Sequence, residues 1–273
     1  MRICIKPLDK SQRFLYLFDR QWLTAESRFT YWVLMLQDQR CLDSYTEPYK
    51  QRNIIMSIEV LGISGSPIEN SNTDRLIQAV LDATELEFEF VKLSQINIRP
   101  CLACKQCVPD NICKVKDDFP ELAKTIKKAK ALIIGAYIPY KQIDGFTKAL
   151  LERFWSLRHV NNLLRGKLCA TVLTYLTTDA ANNVNKSLAI ELKDMERMEL
   201  IGQVMVKGNL PCFTCGVGDE CEMSGIRRRY GPDARSSDYT YSRAEDQKEV
   251  WEEAMRIGRL IGEGERVRIT NRG

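Results

Sequence analysis

The segment Ser57-Ile58-Glu59-Val60-Leu61-Gly62-Ile63-Ser64-Gly65-Ser66-Pro67-Ile68-Glu69-Asn70-Ser71-Asn72-Thr73 sets the architecture. Ile58, Val60, Leu61 and Ile63 predict a buried strand over Ser57 to Ser64, and Leu76, Ile77, Val80 and Leu81 then recur at helical spacing. A loop of Gly, Ser, Pro, Asn and Thr joins the two. Such a loop, entering a helix, offers free backbone N–H groups, hydroxyls and the positive end of a helix dipole. That describes a phosphate site, with hydroxyls from Ser64, Ser66, Ser71 and Thr73. The competing reading is a capped helix start without a ligand. With one Gly inside the loop and no Lys-Ser/Thr ending, neither the Walker nor the Rossmann fingerprint applies.

The alternation continues downstream. Strands are expected over Glu87 to Leu93, Ala131 to Ile138, Lys167 to Leu176 and Leu200 to Val206. Helices are expected after Asp117-Asp118, over Phe146 to Leu157 and over Val184 to Met195. Thr177 to Asn183 reads as a polar loop and Cys169 as a small core residue. A long loop to about Ser242 precedes a final amphipathic helix with Val250, Trp251, Ala254, Ile257 and Ile261. Strands alternating with helices predict a parallel sheet covered on both faces, with right-handed crossovers. Five strands match the flavodoxin-like order 2-1-3-4-5, in which ligands sit beyond the carboxyl ends of the strands. Loops 64–73, 139–145 and 174–183 leave those ends, as does the cysteine loop 97–116, so all four are expected on one edge of the sheet. The α/β domain covers 57–206, and 207–273 is expected to pack on it. Residues 1–56, aromatic and charged without strand–helix alternation, read as an N-terminal extension or as sequence preceding a start at Met56.

Four of the ten cysteines fall at Cys101, Cys104, Cys107 and Cys113, with spacing C-x2-C-x2-C-x5-C. Thiols this close can address a common centre, and thiolates select soft metals and iron–sulfur clusters. The two short gaps match a ferredoxin-type run, which differs in the third gap. Zinc sites more often show two separated C-x2-C pairs. The block therefore favours a 4Fe–4S cluster over zinc, a redox disulfide pair or an inert core. A second group, Cys212, Cys215 and Cys221, holds three thiols in ten residues, with Gly216 and Gly218 giving backbone freedom. It reads as a second metal or cluster site, a redox dithiol or a structural loop. Asp219, Glu220, a distant cysteine or an external molecule would be the fourth ligand. Arg227, Arg228, Arg229 and Arg235 nearby suit an acidic electron carrier or a nucleotide, or simply line a solvated loop.

Composition narrows the function classes. The 273 residues are 44% hydrophobic and 28% charged, enough for one or two domains with a full core. A net charge of +4, spread along the chain, gives no basic stripe for nucleic acid. No apolar run reaches membrane-spanning length and no signal peptide is visible. Ten cysteines then point to a reducing cytoplasm and to metal or redox use. The single histidine, His159, leaves no material for histidine-based zinc sites or Ser-His-Asp catalysis and reads as an exposed or satisfied polar residue.

Gly65-Ser66-Pro67 with Ser71-Asn72-Thr73, the four-cysteine block followed by Asp117-Asp118, and Pro139-Tyr140 with Lys148 together resemble the iron–sulfur flavoproteins, within the NADPH-dependent FMN reductase group. The resemblance covers residues 57–206. It implies non-covalent FMN, a 4Fe–4S cluster on Cys101, Cys104, Cys107 and Cys113, homodimers or homotetramers, and the redox metabolism of an anaerobe. It places Ser64, Ser66, Pro67, Ser71, Asn72 and Thr73 around the FMN phosphate and Pro139, Tyr140 and Lys141 against the isoalloxazine. Residues 174–183, with Thr174 and Asp179, would complete the pocket, although the glycine-rich stretch common there in relatives is missing. The function expected is electron transfer between ferredoxin or NAD(P)H and a small or protein acceptor. The alternatives are an NAD(P)H-dependent FMN or quinone reductase with a zinc-bound or redox-active cysteine loop, and a non-catalytic redox-sensing or accessory protein.

Overall fold

The structure, a computed structural model, describes residues 58–270; the expected N-terminal extension lies outside the described residues. Five strands, β1 (Val60–Ser64), β2 (Phe88–Lys92), β3 (Ala131–Tyr137), β4 (Leu168–Tyr175) and β5 (Glu199–Lys207), form one sheet in the order β2-β1-β3-β4-β5. Every pairing is parallel, as the alternation predicts. All five residues of β1 are buried, as are the first six of β3. Central parallel strands are covered on both faces, which is why these two read as unbroken apolar runs.

Period-two alternation divides the core. Leu61, Ile63, Leu132 and Ile134 face one side, packed under α2 (Phe119–Lys128), α3 (Gly145–Phe154) and α4 (Thr178–Ala189). Val60, Ala131 and Ile133 face the other, under α1 (Asn72–Asp82) and the last helix, α6 (Lys248–Thr270). Ala254, Ile257 and Ile261 of α6 join Leu76, Ile77 and Val80 of α1 in that layer, so the last helix packs on the sheet. Cys169 is fully buried, and burial pushes its thiol up to about 12.

One element starts earlier than its composition suggests. The polar stretch before Val184 is the first half of α4, not a loop. Ala180, Ala181, Val184 and Leu188 are its buried face, and Asp179 sits in its first turn, where a carboxylate suits the helix dipole. A π-helical turn, Ile190–Met195, carries the chain on toward β5. The long loop after β5 holds a short helix, α5 (Gly225–Tyr230). Among the described residues, no helix is long and apolar enough to cross a membrane.

Candidate functional site

Three loops meet at the carboxyl edge of the sheet. After β1, Ser71 caps α1: its hydroxyl accepts the Asp74 N–H (3.1 Å), and the Asp74 carboxylate accepts the Ser71 N–H (3.1 Å). Asp74 also takes the Ser64 hydroxyl at 2.5 Å and pairs with Lys92 at 2.6 Å, both side chains buried. Lys92 donates in addition to the Ile68 carbonyl (2.8 Å), tying the loop to the end of β2. Gly65 lies so close to α3 that an added Cβ would strike Thr147 Oγ1 and stand 2.7 Å from Asp144 Oδ1. Thr73 and Thr174 hydroxyls bond at 2.7 Å, joining the first loop to the end of β4.

These bonds take up part of the hydrogen-bonding capacity of several expected ligands. The Ser64 hydroxyl gives its proton to Asp74, whereas the Ser71 hydroxyl accepts the Asp74 N–H and keeps its own proton for a ligand. Asn72 uses its side-chain amide on the Lys207 and Ser242 carbonyls (3.3 and 2.9 Å) and accepts the Ala244 N–H (3.1 Å). It latches the C-terminal segment onto the first loop. What this loop offers an anion is the first-turn N–H groups at Asn72 and Thr73, which helix geometry leaves without intrahelical acceptors, together with Ser66 Oγ, the Ser71 hydroxyl and the Thr73–Thr174 pair. Pro67 continues the loop just beyond Ser66. Asp179 is exposed and lies within α4 rather than in a loop.

The loop after β3 carries Pro139, Tyr140 and Lys141. Tyr140 (φ 48°) and Lys141 (φ 64°) both adopt left-handed backbone conformations, in a turn closed by the Gln142 N–H on the Pro139 carbonyl (2.9 Å). Two such non-glycine residues in succession are costly and cluster at functional sites. They hold the Tyr140 ring 99% exposed. Below them Asp144 caps α3, accepting from Thr147 N (2.8 Å), Thr147 Oγ1 (2.8 Å) and Tyr137 N (3.2 Å). Burial nevertheless pushes its carboxyl above the usual carboxylate range.

The cysteine loop packs along the C-terminal half of α3. Arg153, a fully buried side chain in the last turn of α3, is its anchor. Its guanidinium meets both oxygens of the equally buried Asp117 (2.5 and 3.0 Å), the Arg99 carbonyl (2.8 Å) and Cys113 Sγ (3.2 Å). It also lies over the Phe119 ring, 4.5 Å from the centroid. Burial alone would raise the Asp117 carboxyl, but the Arg153 and Arg99 hydrogen bonds outweigh it and hold that carboxyl below its usual range. Glu152 accepts the Cys101 N–H (3.3 Å), and Asn111 donates to the Ser156 and Asn161 carbonyls (3.3 Å each). Arg153 lies on the face of Leu150 and Phe154, so its spacing marked it as buried; Asp74 stood three residues after Ser71 in capping-box spacing. Neither was singled out from the sequence.

Cys101, Cys104, Cys107 and Cys113 all line one pocket, with Arg153, Trp155 and Ser156. Burial, and then the charges of Cys113, Cys101 and Cys104, raise the Cys107 thiol. As they stand the sulfurs keep separate partners: Cys101 Sγ accepts the Ala103 N–H (3.4 Å), and Cys113 Sγ faces Arg153. Among the described residues, no three His, Cys, Asp or Glu side chains are gathered ready to hold an ion. The donor set nonetheless fits an anionic iron–sulfur group. It brings four soft sulfurs to one pocket beside a buried guanidinium, whose Nε has no hydrogen-bond partner. Cys212, Cys215 and Cys221 belong to a separate loop after β5. His159 is half-buried, its ring edge-on to Trp155 at 3.9 Å.

Comparison with known proteins places the chain in a family. Residues 58–209, more than half of the chain, match the family model described as NADPH-dependent FMN reductase. An iron–sulfur flavoprotein of Methanocaldococcus jannaschii is 32% identical over 118 residues, 42% of this chain and 61% of that protein. One from Methanosarcina thermophila is 30% identical over 118 residues, 42% and 62% of the two chains. The match thus spans about three fifths of the length of these relatives. A solved flavodoxin from the domain Archaea is 11% identical, covering 76% of this chain and 98% of its own, with a TM-score of 0.41. The chain belongs to the NADPH-dependent FMN reductase family and, within it, resembles the iron–sulfur flavoproteins.

Proposed function

We propose that this protein is a cytoplasmic oxidoreductase holding FMN and a 4Fe–4S cluster, which passes electrons between ferredoxin or NAD(P)H and a small-molecule or protein acceptor. One observation carries the reading: α3 begins at the cleft, through Asp144 and Thr147, and ends at the four-cysteine pocket, through Glu152 and Arg153. At 1.5 Å per residue, Asp144 and Arg153 stand about 13 Å apart along the helix. The bound flavin would supply one- and two-electron chemistry and the cluster one-electron chemistry, so that the two together link paired to single electron transfer.

The residues of the chain have distinct parts in this. The first-turn N–H groups of α1, with Ser66 and Thr73, hold the phosphate. The strained turn at Tyr140 and Lys141 presents an aromatic ring to the flavin. Arg153 offsets negative charge at the thiolates while Asp117 keeps it in place. A homodimer or homotetramer, proposed alongside, rests on the resemblance alone.

Cys104→Ala tests the assignment. Iron is expected to be lost while most flavin is kept; loss of flavin with retention of iron would overturn it. The description of the matching family favours a second reading, a plain NAD(P)H-dependent FMN or quinone reductase. Zinc without sulfide in the protein would select that reading.

A further inference from the structure

Cys212, Cys215 and Cys221 lie on a loop that the proposed electron-transfer role does not use. Cys212 and Cys215 ride on one short turn, where Phe213 N donates to the Leu210 carbonyl and Cys215 N to the Pro211 carbonyl (3.1 Å each). Gly216 follows with φ +82°, a conformation glycine adopts without strain, and reverses the chain directly after the second thiol. The chain then folds back so tightly that a Cβ on Gly218 would strike the Cys212 carbonyl and lie 3.1 Å from Cys212 Cβ. From there Cys221 is one turn away, its N–H on the Val217 carbonyl (3.0 Å). Its own carbonyl takes the Ser224 N–H (3.1 Å), and the next residue, Gly225, gives its N–H to Cys212 Sγ (3.2 Å). A single tight turn therefore joins Cys221 to the residue that touches the Cys212 sulfur.

We infer that Cys212, Cys215 and Cys221 form a second thiophilic metal centre, a zinc ion or an iron–sulfur cluster, with three protein thiolates and one position left for an outside ligand. A disulfide between any two would strand the third thiol, whereas a soft metal uses all three. The N–H on Cys212 Sγ supplies the outer-shell donor that steadies a ligating thiolate, as Ala103 does for Cys101 in the first block. Asp219 is not the fourth ligand, because both of its oxygens are taken by Ser236, at 2.6 Å from N and 2.8 Å from Oγ. Arg227 donates to the Cys221 carbonyl, placing a cation beside the anionic set. Cys215 is exposed, which keeps one side of the loop open to solvent.

The test starts from the full chain with Cys101, Cys104, Cys107 and Cys113 all changed to Ser, so that it is independent of the first cluster. Purified anaerobically with its flavin, this variant is expected to retain iron or zinc. Adding Cys212→Ser, Cys215→Ser and Cys221→Ser should remove that metal. Sulfide accompanying iron marks a cluster, and zinc without sulfide marks a single ion. A metal-free four-Ser variant that also shows no thiolate-to-cobalt charge-transfer absorption on adding Co(II) would overturn the proposal. Should either variant fail to fold, the exposed Cys215 is changed alone in the parent chain. Cys215→Ala is expected to lower the retained iron or zinc relative to flavin, and unchanged metal content would overturn the proposal.

Discussion

Two loops of this molecule carry thiols two residues apart, and they are held in opposite ways. The first, 101–113, rests against a buried ion pair: Arg153 and Asp117 are both fully covered, and the same guanidinium reaches Cys113. Asn111 pins its far end to the Ser156 and Asn161 carbonyls. The second, 212–221, leans on its own turns and on Asp219 holding Ser236. Spacing shows which donors are neighbours along the chain. The buried countercharge shows which loop the fold itself fixes in place.

Cutting each loop at its arginine should break the comparison most sharply. Arg153→Met strands the buried Asp117 carboxylate and is expected to cost about 3–5 kcal/mol. Arg227→Ala removes one hydrogen bond to the Cys221 carbonyl and should cost about 1 kcal/mol. Denaturant midpoints followed by flavin fluorescence will rank the two, and equal costs would erase the distinction. The double variant Asp117→Leu with Arg153→Met should recover much of the larger loss, because the stranded charge is gone.

A smaller effect comes from a buried carboxyl. Glu196 is buried and its carboxyl is pushed up to about 7, by burial first and Glu191 second, against the Arg158 cation 3.3 Å away. Its carbonyl holds Asn162, beside the Asn161 that Asn111 grips. Below about pH 4.5, folded and unfolded chains both keep the proton. Between there and about pH 7 only the folded chain keeps it, so stability falls as pH rises, by up to about 3 kcal/mol. Glu196→Gln should flatten that slope in melting curves taken from pH 5 to 8.

Next comes the cleft. Gly65→Ala drives a methyl into Thr147 and Asp144 and should cost about 1–3 kcal/mol. Flavin binding should weaken with it, measured by fluorescence titration; unchanged affinity would free Gly65 from any part in the site. Least is expected of Cys215→Ser in protein without metal, within about 0.5 kcal/mol on thermal melting, since that thiol is exposed.

Much of this was legible from residue order. Unbroken apolar runs such as Ala131–Ala136 marked central parallel strands, and strand–helix alternation carried the order of the sheet. Local polarity misled at α4, where Thr, Asp and Asn hid the helical face of Ala180, Ala181 and Val184. The Asn72 latch was invisible because its partners, Ser242 and Ala244, lie some 170 residues away. The anchor of the cysteine loop was hidden for the same reason, since Arg99 and Cys113 lie 54 and 40 residues from Arg153.

The most direct measurement is cofactor content on the parent chain, purified without oxygen: FMN, iron, acid-labile sulfide and zinc on one sample, with the EPR spectrum after reduction. FMN together with iron and sulfide in equal amounts, and a reduced-cluster signal lost in the Cys113→Ser variant, is the result expected of a flavin cleft and a thiol pocket at opposite ends of α3. Flavin with zinc and no sulfide, or a signal untouched by Cys113→Ser, would contradict it.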